Sequence, residues 1–145
     1  MTTAIEQPAF CPCENLLPRR TPDNAAYWTA AAEHRFVVPS CGACKRDFFP
    51  VSPRCPHCLS DKVEWRAPAP AGTVASWIRY RKAYYPWVDA HLPYVGILVD
   101  VVPGVRIPML AWPTPTRDPK IGDKLEISFL DVAEGVSLPV CRLAE

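Results

Sequence analysis

The sequence predicts a mainly β chain: an N-terminal helix, a four-cysteine metal ribbon and a C-terminal five-stranded barrel of the Greek-key OB type. Three observations carry that expectation. Four of the seven cysteines arrive as two Cys-x2-Cys pairs. Eighteen prolines among 145 residues argue against long helices and for short strands joined by stiff loops. Beyond residue 72 the chain becomes a series of short alternating stretches punctuated by turn residues.

The elements follow in order. Residues 1–21 read as irregular, with a CPC at Cys11 and Cys13 and then LLPRR. Thr21-Pro22-Asp23 is a helix start: a capping hydroxyl, a proline for the first turn and an acid for the positive end. Ala25, Trp28 and Ala32 recur at helical spacing, and His34-Arg35 suits the C-terminal end, so a helix is expected over 22–34. Phe36-Val37-Val38 leads as a short strand into the cysteines, and Val63-Glu64-Trp65 leads out. Residues 22–66 thus form a helix-plus-ribbon unit, and APAPAG at 67–72 is a proline hinge before a barrel over 67–145. Residues 73–83 alternate, with Val74, Ile78 and Tyr80 expected on one face. Residues 94–102 place Val95, Ile97, Val99 and Val101 together. Pro103-Gly104 turns into 105–112, and residues 124–131 turn at Ala133-Glu134-Gly135 into 136–143. The helix often found between the third and fourth OB strands is not expected, because prolines stand at 113, 115 and 119.

Composition excludes several classes. Apolar residues are 49% and charged ones 21%, a globular balance. Net charge is +1, and the halves 1–66 and 67–145 carry eight bases against seven acids and eight against eight. Neither half has the positive field that supplies most nucleic-acid affinity. The N-terminus has no basic or apolar leader pattern and no run reaches a membrane span, so a cytoplasmic chain is expected. In that compartment cysteines point to metal or free thiols rather than disulfides.

The chemistry concentrates in CGACKRDFFPVSPRCPHC. Cys41, Cys44, Cys55 and Cys58 form two knuckles separated by ten residues. Two residues between cysteines let both thiolates meet one ion, and two knuckles complete a tetrahedral site. Thiolates select zinc or iron over hard cations. Four equivalent ligands leave no open position, so the metal is expected to be structural. Lys45 and Leu59 stand where rubredoxin-type iron knuckles usually carry glycine, which favours zinc. His57, between Pro56 and Cys58, reads as exposed rather than ligating, Cys11 and Cys13 as free thiols, and Cys141 as a core residue.

No Gly-x-Ser-x-Gly elbow, phosphate loop or paired carboxylates appear, and the three histidines are far apart. One stretch stands out. Residues 79–94 mix Arg79, Arg81 and Lys82 with Tyr80, Tyr84, Tyr85, Trp87, His91 and Tyr94. Such a loop reads as a protein interface, as a groove for a phosphorylated nucleotide cofactor, or as rings packed back on the barrel.

The order of parts, PDNAAYW, then CGACKRDFFPVSPRCPHC, GTVASW, LPYVGILVDV and IGDKLEISF, resembles one family: the zinc-ribbon plus OB-fold, acyl-CoA-associated proteins of domain-of-unknown-function family thirty-five. The resemblance runs from residue 22 to about 142. It implies a rubredoxin-like zinc ribbon beside an OB barrel, with Cys41, Cys44, Cys55 and Cys58 as zinc ligands. It implies a hetero-oligomer in which a thiolase-like or lipid-transfer-protein-like partner carries the catalysis and this chain stabilises it and shapes acyl-CoA access. Hotdog-fold hydratases are the alternative partners. From the residues of the 79–94 stretch itself, Arg79, Arg81, Lys82, Tyr84, Tyr85, Trp87 and His91 are the candidates for a partner interface or for acyl-CoA binding. A Cys-Gly after the knuckle is missing, and the CPC segment lies outside the pattern. Two other readings stay open: a single-stranded nucleic-acid module, and an autonomous acyl-CoA enzyme using His91 or Cys141.

Overall fold

The structure, a computed structural model, describes residues 17–84 and 86–144. The CPC at Cys11 and Cys13 and the aromatic Tyr85 therefore lie outside the described residues, and of Trp87 only the backbone is described.

Helix α1 spans Ala25–Ala32, three residues later than expected. The start signal works one turn earlier: Thr21 and Asn24 exchange hydrogen bonds, Thr21 N–H to Asn24 Oδ1 at 2.8 Å and Asn24 N–H to Thr21 Oγ1 at 3.3 Å. Pro22 and Asp23 are spent on that turn, and Asn24 becomes the N-cap. The helix ends in a Schellman closure. Arg35 N–H reaches Ala30 O at 2.8 Å and His34 N–H reaches Ala31 O at 2.9 Å. His34 takes the left-handed position with φ 57°, where glycine is commoner.

Strand β1 (Val38–Cys41) pairs antiparallel with β2 (Val63–Arg66), and the ribbon hangs between them. Five strands then close a barrel: β3 (Ala71–Tyr80), β4 (Tyr94–Val102), β5 (Val105–Ala111), β6 (Lys124–Ala133) and β7 (Val136–Leu143). Their order around the wall is β3-β4-β5-β7-β6, with β6 returning to β3. That is OB topology, as expected. A 3-10 turn over Pro86–His91 joins β3 to β4, and no helix lies between β5 and β6.

Two details depart from the alternation read in the sequence. Strand β3 begins at Ala71, inside the proline segment, so the hinge is partly strand. A bulge between Val74 and Ser76 then shifts the register. Val74 points into the core, but Ile78 is 52% exposed, and Trp77 instead pairs with buried Ile97 and packs on the core. The one extra residue turns every later side chain of β3 over. Gly72 lets β3 pass close to β4: a Cβ there would lie 2.5 Å from the Asp100 carbonyl oxygen and 2.6 Å from Val99 Cγ1.

The barrel core holds Val95, Ile97 and Val99 from β4, Ile107 and Met109 from β5, and Leu125 and Ile127 from β6. Cys141 sits among them, and burial pushes its thiol up to about 12. Phe36 and Val38 from the ribbon side enter the same cluster. A smaller cluster of Tyr27, Ala30 and Val37, with Phe49 and Trp65 against it, fastens α1 to the ribbon. The helix end is also tied to the β6–β7 hairpin: His34 Nε2 lies 2.7 Å from Asp131 Oδ1, which accepts from the buried Ser137 hydroxyl, and the His34 ring stacks on Phe129.

Candidate metal centre and exposed faces

Each knuckle is a tight turn whose geometry follows from its cysteines. Lys45 N–H donates to Cys41 O at 2.9 Å, and Leu59 N–H donates to Cys55 O at 2.9 Å. To close those turns Lys45 and Leu59 adopt φ 62° and 63°. These are the two positions where glycine is absent from the sequence, and the side chains there accept a conformation that glycine takes freely. Backbone N–H groups of Ala43 and Cys44 point at Cys41 Sγ, each at 3.4 Å, and that of His57 points at Cys55 Sγ at 3.3 Å. His57 thus contributes its backbone, while its ring is exposed.

The four sulfurs all lie within 4.8 Å of one another. Cys41 and Cys58 are 3.5 Å apart and Cys44 and Cys55 3.7 Å. A tetrahedral zinc with sulfurs at about 2.3 Å places them roughly 3.8 Å apart, so the cluster fits the ion. The electrostatics fit as well. The Cys44 N–H draws the Cys41 thiol down to about 6, against desolvation and with help from Ala43 N–H and the neighbouring thiols. Cys44 moves the other way, to about 11: the Arg46 N–H favours its thiolate, but burial and the thiols of Cys55, Cys41 and Cys58 outweigh it. One thiolate forms readily and resists a second beside it. A dication removes that conflict and would hold all four as thiolates. Cys41 and Cys55 are fully buried under Phe48. With four sulfur ligands the site is closed, a staple rather than a reaction centre.

The remaining sequence candidates spread apart. Arg79 turns inward after the bulge and its guanidinium is held by Asp118, at 2.6 and 2.9 Å. Arg81 and Lys82 are exposed, the latter with Nζ 5.7 Å from the Tyr84 ring centre. Tyr84 is 65% exposed and meets Tyr80 edge-on, and Tyr80 stacks on Tyr94 at 4.6 Å. His91 packs edge-on against Trp112 at 5.5 Å. Cys141 is buried in the barrel core, with its Sγ 3.7 Å from the Leu110 carbonyl oxygen. Sequence reasoning missed a groove of about 650 Å³ on the outer barrel wall, from Trp28 on α1 across Ile78, Gly96 and Leu98 to Pro108 and Leu138. Its signal was present: YVGILVDVV is apolar at both phases of its alternation, the pattern of a strand covered on two faces.

Residues 28–64 match the family described as ChsH2, rubredoxin-like zinc ribbon domain. Over nearly its whole length the chain is similar to a chain of the Ltp2-ChsH2(DUF35) aldolase, with 31% identity and a TM-score of 0.78, covering 88% of this chain and 99% of that one. This chain belongs to the DUF35 family. A second DUF35 protein, of unknown function from Sulfolobus solfataricus, shares the fold at 17% identity and TM-score 0.54, over 85% of this chain and 86% of that one. A probable enoyl-CoA hydratase alpha subunit from Thermomonospora curvata is 35% identical over 124 residues, 84% of this chain. This DUF35 chain spans 38% of that protein's length. Among the described residues no helix is long and apolar enough to cross a membrane.

Proposed function

We propose that this chain is a cytoplasmic, zinc-stapled accessory subunit of an acyl-CoA enzyme whose catalytic residues lie on a thiolase-fold, lipid-transfer-protein-type aldolase partner. It stabilises that partner and shapes the entrance for the acyl-CoA. The observation that carries this reading is the end-to-end likeness to a chain of the Ltp2-ChsH2(DUF35) aldolase. The closed sulfur site supports it, because such a metal has no position for substrate. So does the serine–carboxylate–histidine cluster where the helix end meets the β6–β7 hairpin. Asp131 stands between Ser137 and His34, so the imidazole bonds to the carboxylate rather than to the hydroxyl it would have to deprotonate.

Co-expression with the Ltp2-type subunit of the same organism tests the proposal. The expected result is a stable hetero-oligomer whose carbon–carbon cleavage of acyl-CoA is lost when this chain is omitted. A chain that elutes apart from the aldolase and leaves its turnover unchanged would sink the idea.

A second reading is favoured by the hydratase relative. There the partner is a hotdog-fold enoyl-CoA hydratase, and the portion of the relative beyond this chain's span would carry the chemistry. Hydration of an enoyl-CoA by the complex, without aldol cleavage, selects it.

A further inference from the structure

The outer wall of a small barrel normally meets water with polar residues at alternate positions. Here one part of it does not. The bulge in β3 brings Ile78 and Tyr80 outward, and they face Tyr94 and Gly96 across the β3–β4 pair. Gly96 has no side chain to fill the space, so Tyr80 and Ile78 approach the strand itself: a Cβ there would lie 3.4 and 3.6 Å from them. The wall continues apolar through Leu98, Pro108 and Leu110 to Leu138, and Tyr27, Trp28 and Phe49 form the opposite bank. Not one of the nineteen lining residues is charged. Every ion pair found among the described residues lies elsewhere, including the Asp100–Arg106 and Glu126–Arg142 pairs on the barrel.

Three features say what fits this groove. Strands β5 and β7 pair only at Leu110–Val140 and Ala111–Cys141, so the seam below them is unlaced, and Pro108 and Pro139 there have no N–H to offer. An added strand would find few backbone partners, whereas side chains inserted from a helix or loop would find an apolar slot. The lining lacks the placed cations that would hold a CoA phosphate. Thirteen of the nineteen lining residues are not buried, about half of the roughly 20–30 that each side of a standard protein interface contributes, and Trp28, Trp77, Tyr80 and Tyr94 among them are of the types that usually anchor one. At the groove's Tyr80 end stand Arg81 and Lys82, both exposed and neither in an ion pair among the described residues.

We propose that this groove is the seat of the catalytic subunit, which enters it with an apolar ridge on a helix or loop whose carboxylates face Arg81 and Lys82. The inference rests on the accessory-subunit function proposed above and names the surface that performs it.

Binding of full-length, zinc-loaded chain to the Ltp2-type subunit measures it, with Ile78→Asp in the groove and Ile121→Asp as a control at another exposed isoleucine outside it. The expected result is at least a tenfold weaker complex for Ile78→Asp and an unchanged one for Ile121→Asp, with zinc content and melting temperature retained in both. The double variant Arg81→Glu/Lys82→Glu, on the surface beside the groove, tests the same seat if Ile78→Asp folds poorly. It should slow association about tenfold at low salt and much less at high salt. Wild-type affinity in both variants overturns the groove assignment while the accessory function stands. Failure of the wild-type chain itself to bind removes that function instead. A wild-type homodimer in solution that Ile78→Asp dissociates assigns the groove to a second copy and also overturns the proposal.

Discussion

Leu59 is 69% exposed and takes φ 63° at the tip of the second knuckle, so its side chain buries little and its backbone is strained. A left-handed conformation costs a non-glycine residue on the order of 1 kcal/mol. Leu59→Gly should therefore be neutral or stabilising by up to about 1 kcal/mol, and Leu59→Val destabilising, in thermal melts of the zinc-loaded protein. This residue was legible in part. Its position after the second cysteine was visible, but sequence used it to argue about metal identity, whereas the structure shows that the turn imposes the same backbone on whatever stands there. The His34–Asp131 contact was not legible at all, because its partners lie far apart in the chain and neither sits in a motif. Its pH signature is specific. The Ser137 hydroxyl, and then His34, hold the Asp131 carboxyl below its ordinary range. A lowered folded-state pKa means a contribution present in full above about pH 4 and lost as pH falls through the folded value. The stability difference between wild type and Asp131→Asn should shrink as pH falls below about 4. For a pair this open to solvent it should be under about 1 kcal/mol.

At the scale of elements, the ribbon depends on its ion. Replacing Cys44 by serine should abolish stoichiometric zinc and unfold residues of the knuckles, as read by metal analysis and hydrogen exchange. The motif has few apolar side chains of its own, and metal binding in such motifs contributes on the order of 10–16 kcal/mol. Strand β3 is where sequence reading failed within an element. Strands β4 to β7 were placed closely because turn signals bound them and their register shifts, between Asp100 and Val102 and between Asp131 and Ala133, fall near the strand ends. In β3 the alternation predicted a common face for Val74, Ile78 and Tyr80, but a bulge inserts a residue that no local composition announces. The glycine that admits the close strand crossing is testable. Gly72→Ala would press a methyl against the Asp100 carbonyl, and we expect a loss of about 1–3 kcal/mol in denaturant unfolding.

For the whole molecule, strand order, the missing helix between β5 and β6 and the metal staple could all be read from residue types and spacing. The apolar groove was legible only in the doubly apolar β4 stretch, because it is assembled from α1, the ribbon and all five barrel strands, and the others contribute residues that look like ordinary core. The ribbon and the barrel also share more than a junction. Phe36 and Val38 belong to the barrel's own core, and Ile127 N–H bonds back to Pro70 O across the proline segment. That arrangement has a practical reading for anyone cutting or grafting this chain. A fragment beginning at the APAPAG stretch would carry an open socket where two side chains from upstream should sit, and a transplanted ribbon would bring two plugs without a hole. The severable unit starts upstream of Phe36, so loss of the ion is expected to loosen the barrel as well as the knuckles. Chelation should then lower the melting of near-ultraviolet signals from Trp77, in the barrel, together with those from Trp65, in the ribbon.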